Sequence, residues 1–345
     1  MAFKKVEKFA NDFDEILVIH FINKIDNLDT DRPTVELPEN VQLLSIPLTR
    51  WHRIAGFLIH PRLPSFASAR RVAGRRHIEA AIASNRFTHF FADFAQGLGA
   101  VPEEHVARFS FRQHDIVSKL YERMFASATG LRRAALGLEL ARCLRWERYA
   151  WARVDDVVVL NKDDAIEIRA WNDRARVTAE VANDLITFSC STVPRAPIPG
   201  RIMFWGNMSR FENIDAACWF VTEILPIVRH SVPEAHFVIV GAHPTPEVES
   251  LEGDFVTVTG FVEDPSEEFS KALVAVAPLR FGSGVKIKVI ETIESGIKTI
   301  ATPVGAEGIS PSDMLLVAST STEIAAGVIA ALIGERAVLD PSPPD

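Results

Sequence analysis

The sequence predicts an α/β protein made of two doubly wound domains, and three observations predict it. Short apolar segments alternate with amphipathic ones in two separate runs. Those apolar segments carry hydrophobic residues on both alternating faces, as strands of a parallel sheet covered by helices do. A length of 345 residues exceeds what a single hydrophobic core usually organises.

In the first run, EILVIHF (15–21), VQLLSIPL (41–48), THFFADF (88–94), ARFSFRQ (107–113) and DDVVVLN (155–161) read as strands. Helices are expected around 66–84, 116–128 and 132–152, where the apolar residues recur at helical spacing. In the second run the strands are RIMFWG (201–206), HFVIVG (236–241), FVTVTGF (255–261), ALVAVAPL (272–279) and KTIATPV (298–304). They alternate with helices near 213–230, 266–271, 285–295 and 321–334. Between the runs, STVPRAPIPG (191–200) has three prolines and a closing glycine, the composition of a stiff connector. The expected organisation is therefore a first domain over residues 1–192, a linker over 193–200 and a second domain over 201–338. The tail 339–345, LDPSPPD, is expected to be disordered.

Composition removes several functions. A net charge of −8 disfavours general nucleic-acid binding, because a phosphate-tracking protein usually carries a positive excess. Cys143, Cys190 and Cys218 are scattered and odd in number, as expected of reduced thiols in a cytoplasmic protein. No apolar run reaches the roughly 18 residues of a membrane span, and MAFKKVEKFANDFDEI is too polar for a signal peptide. Asp29-Thr30-Asp31 spells an Asp-x-Asp, but it lies in the polar stretch NKIDNLDTDRP and reads as an exposed turn. No catalytic metal is expected.

In open α/β sheets, ligands bind beyond the carboxyl ends of the strands, and two such domains facing one another form a cleft. Strand RIMFWG ends at Gly206-Asn207 and is followed by the polar loop MSRFEN, whose N–H groups and Arg210 suit an anion. The stretch RFGSGVKIKVIE (280–291) is more specific. Gly282 and Gly284 let the backbone approach a ligand, and Lys286 is expected in the first helical turn, at the positive end of the dipole. Glu291 lies five residues on, about 7.5 Å at the helical rise, where a carboxylate meets the hydroxyls of a group attached to a bound phosphate. A phosphate next to a diol describes a nucleotide.

Residues 204–241 and 260–309 together resemble the donor-binding half of the GT-B glycosyltransferases of group 1 type, the GT4 family. That resemblance implies a cytoplasmic retaining transferase that uses a nucleotide-diphosphate sugar without a cofactor, in cell-surface glycan or polysaccharide synthesis. It gives Lys286 the donor diphosphate and Glu291 the donor ribose, and Gly206, Asn207, Arg210, Arg280, Gly282 and Gly284 are the further diphosphate candidates read from the two loops. Ser283 stands where many members carry a glutamate, and it joins Glu307 as a sugar-contact candidate. Arg280 either binds phosphate or pairs with Glu307, and Glu307 alternatively caps the next turn. FSFRQHDIVSKLYERMF (109–125) is similar to the segment whose histidine faces the reacting sugar, making His114 the catalytic candidate. Asp115 is either a second cleft candidate beside His114 or the N-cap of the following helix. DDVVVLNKDDAIEI (155–168) and VANDLITF (181–188) fit the family's last strands before the linker. Against the family, the first strand and glycine-rich loop are expected to be missing and the closing helix to be short. A non-catalytic nucleotide-sugar-binding homologue and a sugar-nucleotide epimerase are the alternatives.

Residues 40–78 contain seven arginines, three histidines and no acid, with Trp51, Phe57, Leu58, Ile59 and Phe66 among them. Such a stretch suits a membrane surface or an anionic lipid-linked acceptor, with 50–77 as the peripheral contact. It equally suits a helix pair whose apolar side is core and whose arginines are solvated. LRRAALGLELARCLRWERYAWARV (131–154) reads as a structural helix.

Overall fold

The computed structural model describes residue 6 and residues 9–23, 37–84, 87–93, 95–101, 108–172, 176–179 and 194–339. Asp29-Thr30-Asp31, the strand expected at 181–188 and the tail 340–345 lie outside them. The chain divides into two compact units, residues 1–180 and 181–345.

In the first unit, β1 (Ile16–Asn23) pairs in parallel with β2 (Val41–Leu48), Ile16 opposite Val41. Two helices follow, α1 (Arg50–Ile59) and α2 (Ser65–Ala83), then β3 (His89–Asp93), β4 (Arg108–Gln113), α3 (Val117–Ser127), α4 (Gly130–Trp151), β5 (Asp156–Val159), α5 (Lys162–Trp171) and β6 (Arg176–Ala179). Strands β3 to β6 form a parallel sheet in sequence order. Phe109, Phe111, Val157 and Val159 are buried in it against Ile116, Trp146, Trp151 and Ile168.

Three expectations change here. The stretch 162–168, read with the strands, is the start of α5. Asn161 caps it by accepting from the Asp164 N–H at 2.7 Å, and Asp163 and Asp164 occupy its first turn, a combination that favours a helix start. Asp115 does not cap α3. Its N-cap is Ile116, without a side-chain bond, and the carboxylate of Glu147 on α4 accepts from the N–H groups of Val117 at 2.6 Å and Ser118. Burial pushes the Glu147 carboxyl up to about 7, against the pull of those N–H bonds. The apolar side of α1, one of the two readings of the basic stretch, is also not core, as shown below.

The second unit comprises β7 (Arg201–Trp205), α6 (Phe211–Trp219), a π turn (Phe220–Ile224), α7 (Leu225–Ser231), β8 (His236–Val240), β9 (Val256–Gly260), α8 (Ser266–Lys271), β10 (Val274–Ala277), α9 (Ile287–Glu294), β11 (Lys298–Ala301), β12 (Leu315–Val317) and α10 (Ser321–Leu339). Its strands pair in parallel in the order β12-β11-β10-β7-β8-β9. Both faces are buried. Ile202, Phe204, Phe237, Ile239, Val274 and Val276 pack on one side, while Met203, Val238, Val240 and Ala275 pack on the other with Phe269 and Ile297. That alternation is the two-sided burial expected of a helix-covered parallel sheet. The helix expected at 213–230 is interrupted by its π turn just ahead of Pro226. Proline has no N–H for the carbonyl four residues back, and the wider turn accommodates the loss.

The proline-rich connector is pinned to this unit. The N–H groups of Ala196 and Ile198 donate to Ser270 and Lys271 carbonyls at 2.9 Å, and the Arg195 guanidinium bonds the carbonyls of Ala272 and Gly296.

Candidate functional site: the carboxyl edges of the two sheets

The strand order of the second unit reverses between β7 and β10. From β7 the chain steps outward through β8 and β9, and it then resumes at β10 on the other side. Loops diverge at such a point and leave room beyond the strand ends, which makes it the default ligand position in an open α/β sheet. Both predicted loops, 206–210 after β7 and 278–286 after β10, flank this reversal.

The first loop is tightly built. A Cβ on Gly241 would come within 1.8 Å of the Gly206 carbonyl oxygen, so only glycine lets the end of β8 lie against the end of β7. Asn207 folds its side chain inward, its Oδ1 accepting from the Ser209 N–H at 3.0 Å. Its carbonyl accepts from Asn213 Nδ2 at 2.7 Å.

Asn213 joins this loop to the second. Its Oδ1 accepts from Lys288 Nζ at 2.6 Å. Lys288, in the first turn of α9, is half-buried as a residue, with its ammonium enclosed 4.4 Å from the centre of the Phe204 ring. Burial drives its pKa down to about 7 despite the Glu212 carboxylate, and the charges of Lys286 and Arg210 push the same way as burial. A Cβ on Gly206 would lie only 3.4 Å from that ammonium. A lysine so placed gains strongly from an anion arriving over Gly206.

The second loop turns at Gly282 (φ 126°) and Gly284 (φ 69°), and a side chain on Gly282 would run into Lys286 Cε at 3.2 Å. Lys286 is the N-cap of α9 and does not lie in its first turn, as the sequence suggested. Its Nζ donates to the carbonyls of Ser283 at 2.9 Å and Gly284 at 2.5 Å, and lies 3.9 Å from Glu307. Glu307 is held by the loop after β11, where Thr302 Oγ1 accepts from the Gly305 N–H and donates to the Leu279 carbonyl. The loops after β7, β10 and β11 are thus tied through Asn213, Thr302 and Lys286.

Glu291 occupies the second turn of α9, three residues after Lys288 and so on the same helix face. It is only 3% exposed. Trp205 Nε1, at the end of β7, donates to the Lys288 carbonyl and Thr292 Oγ1, both at 3.1 Å, which fixes the helix against the strand.

The two arginines stand apart from the lysines. Arg280 pairs with Asp215 and not with Glu307, the protein partner considered from sequence. Asp215 on α6 accepts from its Nε at 2.9 Å and its Nη2 at 2.6 Å, and this hydrogen bonding raises the Arg280 pKa against a smaller burial effect. Its guanidinium also lies 5.1 Å from the Trp219 ring. Arg210 is the exposed N-cap of α6 and pairs with Glu212 at 2.6 Å.

In the first unit, His114 follows β4 at the carboxyl edge of its sheet. Its Nε2 lies 2.7 Å from Asp93 Oδ1, at the end of the neighbouring strand β3. Arg112 binds both oxygens of the same carboxylate at 2.8 Å. Burial alone would raise the Asp93 carboxyl, but bonds from His114 and Arg112 and their charges outweigh it and hold the pKa at about 2. An ionised carboxylate therefore fixes the ring orientation of His114. Among the described residues, no group of three His, Cys, Asp or Glu could hold a metal ion.

Sequence reasoning missed Lys288, Asn213, Asp93 and Arg112. The spacing of Lys288 from Glu291 was the one signal for the first. The rest depend on which strands become neighbours.

Residues 199–334 match the family of group 1 glycosyl transferases. An uncharacterized 44.6 kDa protein in the cps region of Klebsiella pneumoniae is 23% identical over 116 residues. That alignment takes in 31% of this chain and spans only 30% of the relative's length. WaaG, a glycosyltransferase involved in lipopolysaccharide biosynthesis, superposes with a TM-score of 0.59 at 11% identity, covering 96% of this chain and 85% of its own. An E. coli trehalose-6-phosphate protein bound with UDP-2-fluoro glucose superposes with a TM-score of 0.56 at 9% identity, covering 92% and 84%. The fold, two α/β units with parallel sheets, is that of the GT-B glycosyltransferases.

Proposed function

We propose that this chain, whose residues 199–334 match the group 1 glycosyl transferases, transfers a sugar from a nucleotide-diphosphate donor with retention of configuration. The acceptor is a glycan or lipid-linked glycan of cell-surface polysaccharide synthesis, and the reaction takes place in the cytoplasm. The carrying observation is the pair of lysines at the start of α9, Lys286 bonded to the loop after β10 and Lys288 to Asn213, beside the reversal of the strand order. The positions of the Klebsiella relative in a cps region and of WaaG in lipopolysaccharide biosynthesis support the pathway class.

The chemistry follows from charge. Breaking the sugar–phosphate bond adds negative charge to the leaving diphosphate, and groups already aimed at that charge lower the barrier without reorganising. Lys286, Lys288 and the N-terminus of α9 supply the positive charge that a divalent cation supplies in other sites, so this reading needs no metal. Gly206, Asn207, Gly282 and Gly284 let the backbone close on the diphosphate, and Glu291 receives the ribose hydroxyls. Ser283 and Glu307 border the sugar. Arg210 and Arg280 flank the cradle through their carboxylate partners. His114, oriented by Asp93, hydrogen-bonds the sugar or the incoming acceptor.

Calorimetric titration of UDP-glucose and a panel of other nucleotide sugars, paired with donor hydrolysis assays, tests the reading. Lys286→Ala is expected to weaken donor binding by about tenfold or more, the scale of a hydrogen bond to a charged group. Unchanged affinity would overturn the site. Donor binding with no turnover of any sugar nucleotide would retain the site and overturn transfer.

A further inference from the structure

The helix α1 exposes the side that a soluble helix normally buries. It packs on α2 through its small residues. A Cβ on Gly56 would come within 2.7 Å of the Ser68 backbone, and Ala55 is buried beside it. Close backbone approach leaves no room between the helices for large side chains, so these are directed outward. Trp51 is 67% exposed and Leu58 69%, and Ile54, Phe57 and Ile59 are also exposed. Together they form a contiguous apolar surface on two and a half turns of helix. A single exposed leucine needs no explanation, but five large apolar side chains on one ten-residue helix do.

The rim of this surface is basic. Arg50, Arg53 and Arg62 are exposed around it, and no carboxylate occurs between residues 40 and 78. Beneath it, Arg142 lies 5.0 Å from the Phe57 ring and is paired with Glu139. Burial and the charge of Arg53 bring Arg70 down to about 10, and burial with the charges of Arg71 and Arg75, the latter paired with Glu79, lowers His60. A protein of net charge −8 is repelled by an anionic surface in general. A basic rim around exposed Trp, Phe and Leu reverses that locally, because charges beyond a Debye length of about 8 Å are screened. Among the described residues no helix is long and apolar enough to cross a membrane, so the chemistry is that of an interfacial helix lying in the headgroup region.

We propose that α1, with its arginine rim, is the surface by which this protein docks on an anionic lipid bilayer. Apolar side chains enter the acyl boundary and Arg50, Arg53 and Arg62 bind lipid phosphates. The proposal is independent of the transferase reading.

The test is co-sedimentation of the full chain with phosphatidylcholine vesicles, pure or containing about 30% phosphatidylglycerol. Binding to the anionic vesicles that falls with added salt is expected. Each basic residue near such a surface contributes roughly a factor of five, so R50Q/R53Q/R62Q should lose about a hundredfold. W51S/I54S/L58S should lose about tenfold or more, with an unchanged melting temperature because these side chains are already exposed. Retained binding in either variant, or equal binding to pure phosphatidylcholine, overturns the proposal. So does a parent protein that ignores vesicles and forms a dimer in ultracentrifugation that W51S/I54S/L58S dissociates, which would make a second copy the occupant.

Discussion

Helices α1 and α9 are both short and strongly amphipathic, yet they present opposite sides to the protein. In α9 the apolar Val289 and Ile290 are buried, and the charged Lys288 and Glu291 are enclosed with them. In α1 only Ala55 and Gly56 are buried, and the large apolar residues face outward. Amphipathicity shows that a helix has two faces, and neighbouring elements decide which face is covered. Around α9 the strand ends of β7 and β10 offer Asn213, Trp205 and loop carbonyls as polar partners, and a buried charge is tolerated where such partners exist. Around α1 the close packing is against the small-residue face of α2, with Arg142 of α4 beside Phe57.

Truncation of equivalent apolar residues tests that contrast most strongly. Ile290→Ala should cost about 2–5 kcal/mol, the range for emptying a buried aliphatic site, read as a shift of the urea midpoint. Next in size is Lys288→Met, which keeps the volume and removes the charge. It should weaken UDP-glucose binding by about tenfold to a hundredfold in calorimetry, whereas an unaltered affinity would make Lys288 structural.

The pH response of the same lysine is a smaller and sharper test. Free Lys288 titrates at about 7, and a bound diphosphate favours its charged form. Above pH 7 the complex therefore holds more protons than the free protein, and affinity should fall by up to about tenfold per unit as pH rises to 9. Calorimetry in buffers of different ionisation enthalpy should register the proton taken up. The folding contribution has the opposite slope. Between about 7 and 10.5 the unfolded chain holds the extra proton, so stability rises with pH over that window. The smallest expected effect is that of Leu58→Ala, within about 0.5 kcal/mol of the parent. A loss of several kcal/mol would mean that the outer face of α1 is covered after all.

The backbone pattern was legible in the sequence where burial is two-sided. Strands β7, β8 and β10 were legible because, past Arg201 and His236, their residues are all apolar, and β2 because six of its eight residues are. The stretch 162–168 was misread because DDVVVLN runs into it without a break, although the Asn161 cap and its trailing aspartates marked a helix start. In the site, the Gly-Ser-Gly loop and Lys286 were legible because glycine and lysine have few other uses at a helix entrance. Lys288 was hidden by its resemblance to a solvated residue, since burial of an ammonium depends on Asn213, 75 positions away.

The sequence by itself determined two parallel α/β units, the glycine turn ahead of a lysine helix and a basic apolar stretch. Each is a local property of composition and period. Tertiary structure decided every pairing that closes over a long separation: Glu147 in place of Asp115 at the start of α3, Asp215 in place of Glu307 on Arg280, and Asp93 on His114. It also decided that α1 keeps its apolar face outside. A polar group takes the partner that the fold brings within about 3 Å, and distance along the chain carries no record of that.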